Sequence, residues 1–137
     1  MQSGAKLPEM NRIVLDASAL LAVLNREPGA DKLTPQLLNA ATSSTVNLAE
    51  VQSKLVNRGL SPQEAWEATL SPIREPAAFT AEHAMTAGNL IVETRALGLS
   101  LGDRACLALG LALGAPVYTA DKSWKSLKLG LRIHVIR

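Results

Sequence analysis

The sequence predicts a three-layer α/β domain, with a parallel sheet of about five strands flanked by helices. Two observations carry that expectation. Short β-favouring runs alternate along the chain with segments of helical spacing, as parallel strands joined by helical crossovers require. The helical segments also stop where helices stop, at Gly59, Gly98 and Gly114. A chain of 137 residues can bury such a core without staples. Apolar residues make up 47% and aromatic residues only 3%, so the core is Leu, Val, Ile and Ala packing.

Taken in order, residues 1–9 (MQSGAKLPE) lack the apolar stretch of a secretory signal and read as a leader or vector-derived extension. Residues 10–137 then form a single domain. Ile13, Val14 and Leu15 make the first strand, and the helix over 17–25 stops before Glu-Pro-Gly. A second helix is expected over 30–40 and a second strand over 42–44. The helix over 47–58 ends at Gly59, and the one over 61–70 opens with Ser-Pro, a cap followed by a first-turn proline. These two helices form a hairpin, either an arm for a partner or a cover for one side of the sheet. A weak strand is expected at 72–74, beside two prolines. Helices over 80–97 and 101–113 follow, and strands at 117–118 and 133–136 complete the sheet.

Several function classes are excluded early. The longest apolar run, CLALGLALGAPV, is too short to span a membrane. One cysteine, Cys106, precludes a disulfide framework and fits a reducing cytoplasm; it reads as a small core residue. No GxxxxGK[ST] or GxGxxG stretch cradles phosphates. Net charge is +2, but from Lys122 onward Lys122, Lys125, Lys128, Arg132 and Arg137 stand with His134 and without an acid. That face is either solvated or a polyanion contact.

Four carboxylates lie where strands give way to helices. Asp16 follows the first strand, Glu50 sits in the first turn of the helix over 47–58, Asp103 opens the helix over 101–113, and Asp121 follows Val-Tyr-Thr-Ala. Singly, each reads as a helix cap or dipole partner worth about 0.3–1 kcal/mol. Asn47-x-x-Glu50 and Ser100-x-x-Asp103 both resemble capping boxes. Together they say more, because strand C-termini in a parallel sheet emerge on one edge, where open α/β sheets bind ligands. Carboxylates within about 4–6 Å disfavour one another's ionisation unless a cation sits among them. With no cysteine pair, no HExxH and only two separated histidines, His83 and His134, the pocket suits Mg²⁺ or Mn²⁺ rather than zinc. Such ions activate water and offset charge on a phosphodiester undergoing in-line displacement. Ser18 and Thr119, each two residues from an acid, either orient those carboxylates or cap local backbone. With four of the 12 acids turned inward, the 14 basic residues dominate the outside, which suits a nucleic-acid substrate.

LDASALLAVL, TVNLAEV and GLSLGDRACLALGLALGAPVYTADKSW, in this order and spacing, resemble PIN-domain ribonucleases of the VapC type, the toxins of bacterial toxin–antitoxin pairs. The resemblance spans roughly residues 11–137, and GLSLGDRACLAL with TAD is its most specific part. It implies a PIN-like fold and an Mg²⁺ or Mn²⁺ pocket made by Asp16, Glu50, Asp103 and Asp121. Ser18 and Thr119 match the hydroxyls beside the first and last acids. It further implies hydrolysis of specific tRNA or rRNA sites by a metal-activated water, a homodimer, and a VapB-like antitoxin that covers the pocket. Arg104, Lys122, Lys125 and Lys128 are candidate RNA contacts, Arg104 reading more readily as a solvated helix residue. Trp124 reads as packing.

Rival readings are weaker. A haloacid-dehalogenase-like phosphatase needs a second Asp where Ser18 stands, and a phospho-receiver domain needs paired acids near Asp16. A non-catalytic PIN-like module that binds RNA or a partner remains the alternative, and the presence of all four acids argues against it.

Overall fold

A computed structural model describes residues 11–137, so the reading of residues 1–9 as a leader lies outside the described residues. Five strands form one sheet: β1 (Ile13–Leu15), β2 (Ala41–Ser44), β3 (Glu75–Ala77), β4 (Val117–Thr119) and β5 (Ile133–Val135). Their order is β3-β2-β1-β4-β5, and every neighbouring pair is parallel. The chain therefore builds outward from β1 on one side, returns, and builds outward from β1 on the other. That reversal makes the β1–β4 boundary the topological switch point, where open α/β sheets place ligands beyond the strand C-termini.

Helices fill the crossovers: α1 (Ala17–Asn25), α2 (Pro35–Leu38), α3 (Thr45–Asn57), α4 (Pro62–Leu70), α5 (Ala81–Asn89), α6 (Ile91–Thr94) and α7 (Leu101–Leu113). Side chains of β1 alternate between two cores, as strand geometry demands. Ile13 and Leu15 pack with Leu20 of α1, Leu48 and Val51 of α3 and Ala65 of α4. Val14 packs on the opposite face with Cys106, Leu107 and Leu109 of α7, Val117 of β4, and Trp124. The three layers follow from that alternation. Cys106 and Trp124 are both fully buried, in agreement with their reading as core. No helix among the described residues is long and apolar enough to cross a membrane.

Four expectations need correction, each for a local reason. The expected helix over 30–40 divides into a 3-10 turn, Ala30–Lys32, and α2, which Thr34 caps with Pro35 in its first turn. Pro35 has no N–H to bond backwards and pushes its predecessor out of the helical region. The weak strand lies at 75–77 rather than 72–74 and contains Pro76. Proline is tolerated there because β3 is an edge strand, and an edge position can do without a ladder donor. The expected helix over 80–97 is three segments, α5, α6 and the 3-10 turn Arg95–Leu97, closed by Gly98 in the left-handed conformation. Finally, α3 starts at Thr45 with Ser44 as its cap. Asn47 and Glu50 are therefore not a capping box, and Glu50 lies in the second turn.

Candidate active site

Asp16 ends β1 and caps α1. Its Oδ1 accepts the Ala19 N–H and the Ser18 hydroxyl, each at 2.8 Å, while Oδ2 accepts the Thr119 hydroxyl at 2.6 Å. The same hydroxyls accept backbone donors beyond β4: Ser18 Oγ takes the Ala120 N–H at 2.9 Å, and Thr119 Oγ1 takes the Asp121 N–H at 3.0 Å. Ser18 and Thr119 thus do both things the sequence allowed, orienting a carboxylate and satisfying backbone. Together they lace the end of β1 to the end of β4. Asp16 is only 4% exposed. Burial pushes its carboxyl up to about 6 against the pull of its three hydrogen bonds, and the nearby charge of Asp103 adds to the rise.

The other three acids share a design. Glu50 Oε1 accepts from Asn47 Nδ2 at 3.0 Å, and the same Asn47 nitrogen donates to the Gly102 carbonyl at 3.0 Å, tying α3 to the start of α7. Asp103 stands in a true capping box: its Oδ2 accepts the Ser100 N–H at 2.9 Å, and Ser100 Oγ accepts the Asp103 N–H at 3.1 Å. Asp121 Oδ1 accepts both the N–H and the hydroxyl of Ser123, at 2.9 and 2.8 Å. In each case one carboxylate oxygen holds the side chain in place. Among the described residues Glu50 Oε2, Asp103 Oδ1 and Asp121 Oδ2 accept no hydrogen bond. Ser100→Ala, which removes the acceptor of the Asp103 N–H and keeps the backbone donor to Asp103 Oδ2, is expected to cost about 1 kcal/mol, read as a lower thermal midpoint.

All four acids line one open cleft of about 360 Å³. A second sign of their convergence lies beneath it. The Cys106 thiol is held well above its ordinary pKa by burial first, then by the charges of Asp16, Asp103 and Glu50, so three carboxylates bear on one buried atom. Among the described residues, no three acidic, histidine or cysteine side chains close around a single point as ion ligands. The donor set nevertheless fits a hard cation. It is all oxygen, three of its members keep an oxygen without a hydrogen bond, and the buried Oδ1 of Asn47 beside Glu50 has no partner. Gly102 completes the fit, since a Cβ there would stand 2.5 Å from both Glu50 carboxylate oxygens.

The cleft also contains residues that the sequence reading did not single out: Glu27, Lys54 and Arg58. Glu50, Lys54 and Arg58 recur every four residues from α3 to its C-cap, a spacing that could have placed them on one stripe. Glu27 has no such signal, because it arrives through the turn after α1. It pairs with Arg137 at 2.9 Å, which holds its carboxyl below the usual range. Of the candidate RNA contacts, none lines the cleft. Arg104 Nη1 donates to the Ala87 carbonyl at 2.9 Å and so ties α7 to α5. Lys122, Lys125 and Lys128 are exposed on the segment after Asp121.

Comparison with known proteins agrees with this geometry. The family model of the PIN domain matches residues 13–129. Compared by sequence with curated proteins, the chain finds no match. Among solved structures it is similar to VapBC2 from Rickettsia felis bound to a promoter DNA fragment, with a TM-score of 0.72 and 20% identity over 91% of this chain and 98% of that one. DNA-bound VapBC from Salmonella typhimurium aligns with a TM-score of 0.72 and 16% identity over 93% and 99% of the two chains. VapC20 from Mycobacterium tuberculosis, a toxin that cleaves the sarcin–ricin loop, aligns with a TM-score of 0.69 and 22% identity over 88% and 98%.

Proposed function

Because the chain belongs to the PIN domain family, we propose that it is a metal-dependent endoribonuclease, the VapC-type toxin of a toxin–antitoxin pair. One observation carries the reading: four carboxylates from separate parts of the chain line one cleft, and three of them keep an oxygen free of hydrogen bonds. Asp16, Glu50, Asp103 and Asp121 would hold Mg²⁺ or Mn²⁺. When bound, the ion supplies a water of lowered pKa and offsets the charge that develops on the phosphodiester.

The chain's own residues account for the rest. Ser18 and Thr119 fix both Asp16 oxygens, so that this buried carboxylate meets its ligand already oriented. Asn47 and Ser100 do the same for Glu50 and Asp103. Water adds at phosphorus, the P–O3′ bond breaks, and the products carry a 5′-phosphate and a 3′-hydroxyl. A structured tRNA or rRNA is the substrate this reading favours, supported by the resemblance to a toxin that cleaves the sarcin–ricin loop. Structural neighbours that are VapBC complexes support a VapB-like antitoxin as partner. A homodimer and a cytoplasmic location complete the proposal.

The test is to incubate total cellular RNA with the wild-type protein and with Asp121→Asn, in Mn²⁺ and in EDTA, and to map 5′-phosphate ends by sequencing. Discrete ends that require both Asp121 and metal are expected. Absence of new ends, from folded protein that also fails to bind Mn²⁺, would reduce the four acids to helix caps and leave a non-catalytic module.

A further inference from the structure

The cations that line the acidic cleft are Lys54, Arg58 and Arg137, and they are not equivalent. Arg137 is engaged by Glu27 Oε1 at 2.9 Å and by the Pro28 carbonyl at 3.4 Å. Among the described residues the Arg58 guanidinium donates only to Asn25 Oδ1, at 3.4 Å. The Lys54 ammonium has neither a hydrogen bond nor an ion pair among the described residues. Its lack of a partner is unexpected, because Glu50 lies four residues N-terminal to it, the favourable order for a helical ion pair. Glu50 is instead turned away, held by Asn47 over the start of α7. Lys54 is thus exposed beside a group of acids without pairing with any of them, and Arg58 bears on Glu27 through its charge alone.

Their spacing matters. Glu50, Lys54 and Arg58 follow one another at four-residue intervals, about 6 Å of helix rise per step, along one face of α3. That step is comparable to the distance between neighbouring phosphates of a single RNA strand. Resting on the reading of the cleft as a site of RNA cleavage, we propose that Lys54 and Arg58 form a phosphate track, which leads the RNA backbone away from the acids along α3. The basic segment carrying Lys125 and Lys128 lies outside the cleft and takes no part in holding the strand there.

The experiment measures binding of a fluorescein-labelled single-stranded RNA of mixed sequence by anisotropy, in Mg²⁺, over a range of salt. The proteins are Asp121→Asn, which limits cleavage, and the same chain with Lys54→Gln and Arg58→Gln or with Lys125→Gln and Lys128→Gln. Removing two phosphate contacts should lower the slope of log K against log salt by about 1.4, which weakens binding about 25-fold at 0.1 M relative to 1 M salt. The Lys125/Lys128 pair should leave the slope unchanged, and Lys54→Arg should retain it. All substituted side chains are exposed, so unchanged thermal midpoints are expected and exclude misfolding as the cause. An unchanged slope in the Lys54/Arg58 variant, from protein that still binds RNA, overturns the track alone. Failure of the parent protein to bind RNA overturns the reading of the cleft and the track with it.

Discussion

Asp16→Asn is expected to abolish metal-dependent RNA cleavage and, in EDTA at pH 7, to raise the thermal midpoint of the protein. One cause produces both effects. Asp16 is buried at the β1–β4 boundary, and its carboxyl is raised from 3.8 to about 6 chiefly by desolvation. A group whose pKa rises on folding stabilises the fold below its unfolded pKa and loses that contribution as pH climbs through its folded value. At pH 7 the metal-free protein therefore holds a buried charge at a cost of about 3 kcal/mol. Asparagine removes the charge. It also presents an amide nitrogen where Oδ2 accepted from Thr119, which gives back about 1 kcal/mol. The net gain of about 2 kcal/mol corresponds to roughly 7 °C in thermal midpoint for a chain of this size.

The pH dependence separates this account from simple capping. In EDTA the wild-type midpoint should fall relative to the variant between pH 4 and pH 7, and below pH 4, as Asp16 becomes protonated in both states, the wild type should be the more stable by its Thr119 contact alone. Mn²⁺ should reverse the order at pH 7, because an ion that binds only the folded wild type stabilises it by mass action. A variant less stable than wild type at pH 7 in EDTA would mean that Asp16 serves the fold as a helix cap first, and its assignment as a ligand held at a cost would fall.

The parts of this architecture legible in the sequence are those set by short-range chemistry. Ile13-Val14-Leu15 could only be a buried strand, and Asp16 directly after it could be placed on the C-terminal edge without coordinates. Ser100-x-x-Asp103 announced its capping box because both partners lie within one turn. What failed had a non-local cause. The sequence places the weak strand at 72–74, short of Pro76, but β3 sits at the sheet edge, and edge position is a property of strand order rather than of a tripeptide. Asn47 was read as a cap because it precedes Glu50 by three residues, yet Ser44 caps the helix and Asn47 reaches across to a carbonyl 55 residues away. The candidate RNA contacts Arg104, Lys122, Lys125 and Lys128 stand outside the cleft, and of the basic stretch from Lys122 onward it is Arg137 that lines it. Charge density along the chain does not tell which lysines share a crevice with the acids, whereas the four-residue rhythm of α3 does.

Gly102→Ala is the substitution for which the expected loss of activity stands furthest from any loss of fold. Alanine is the better helix former by about 1 kcal/mol, and Gly102 lies in the first turn of α7 without a positive φ. Stability should hold or rise. The added Cβ, however, would stand 2.5 Å from both oxygens of Glu50 and 2.6 Å from its carboxyl carbon, separations that carbon and oxygen do not tolerate. Because the obstructed group is the end of a flexible side chain, Glu50 moves and the backbone does not. Its displacement breaks the hydrogen bond that Glu50 Oε1 accepts from Asn47 and takes Glu50 Oε2 out of the cleft. Cleavage should fall about 10–100-fold, with a matching rise in the Mn²⁺ concentration needed for half-maximal stabilisation against heat, the range seen when residues that orient metal ligands are lost. A double-mutant cycle makes the cause specific: Gly102→Ala combined with Glu50→Gln should be no worse than Glu50→Gln alone, since both act through the same carboxylate. Additive losses would place the effect of Gly102 elsewhere on α7. Full activity at an unchanged Mn²⁺ requirement would mean that Glu50 does its work from a position the extra methyl does not touch.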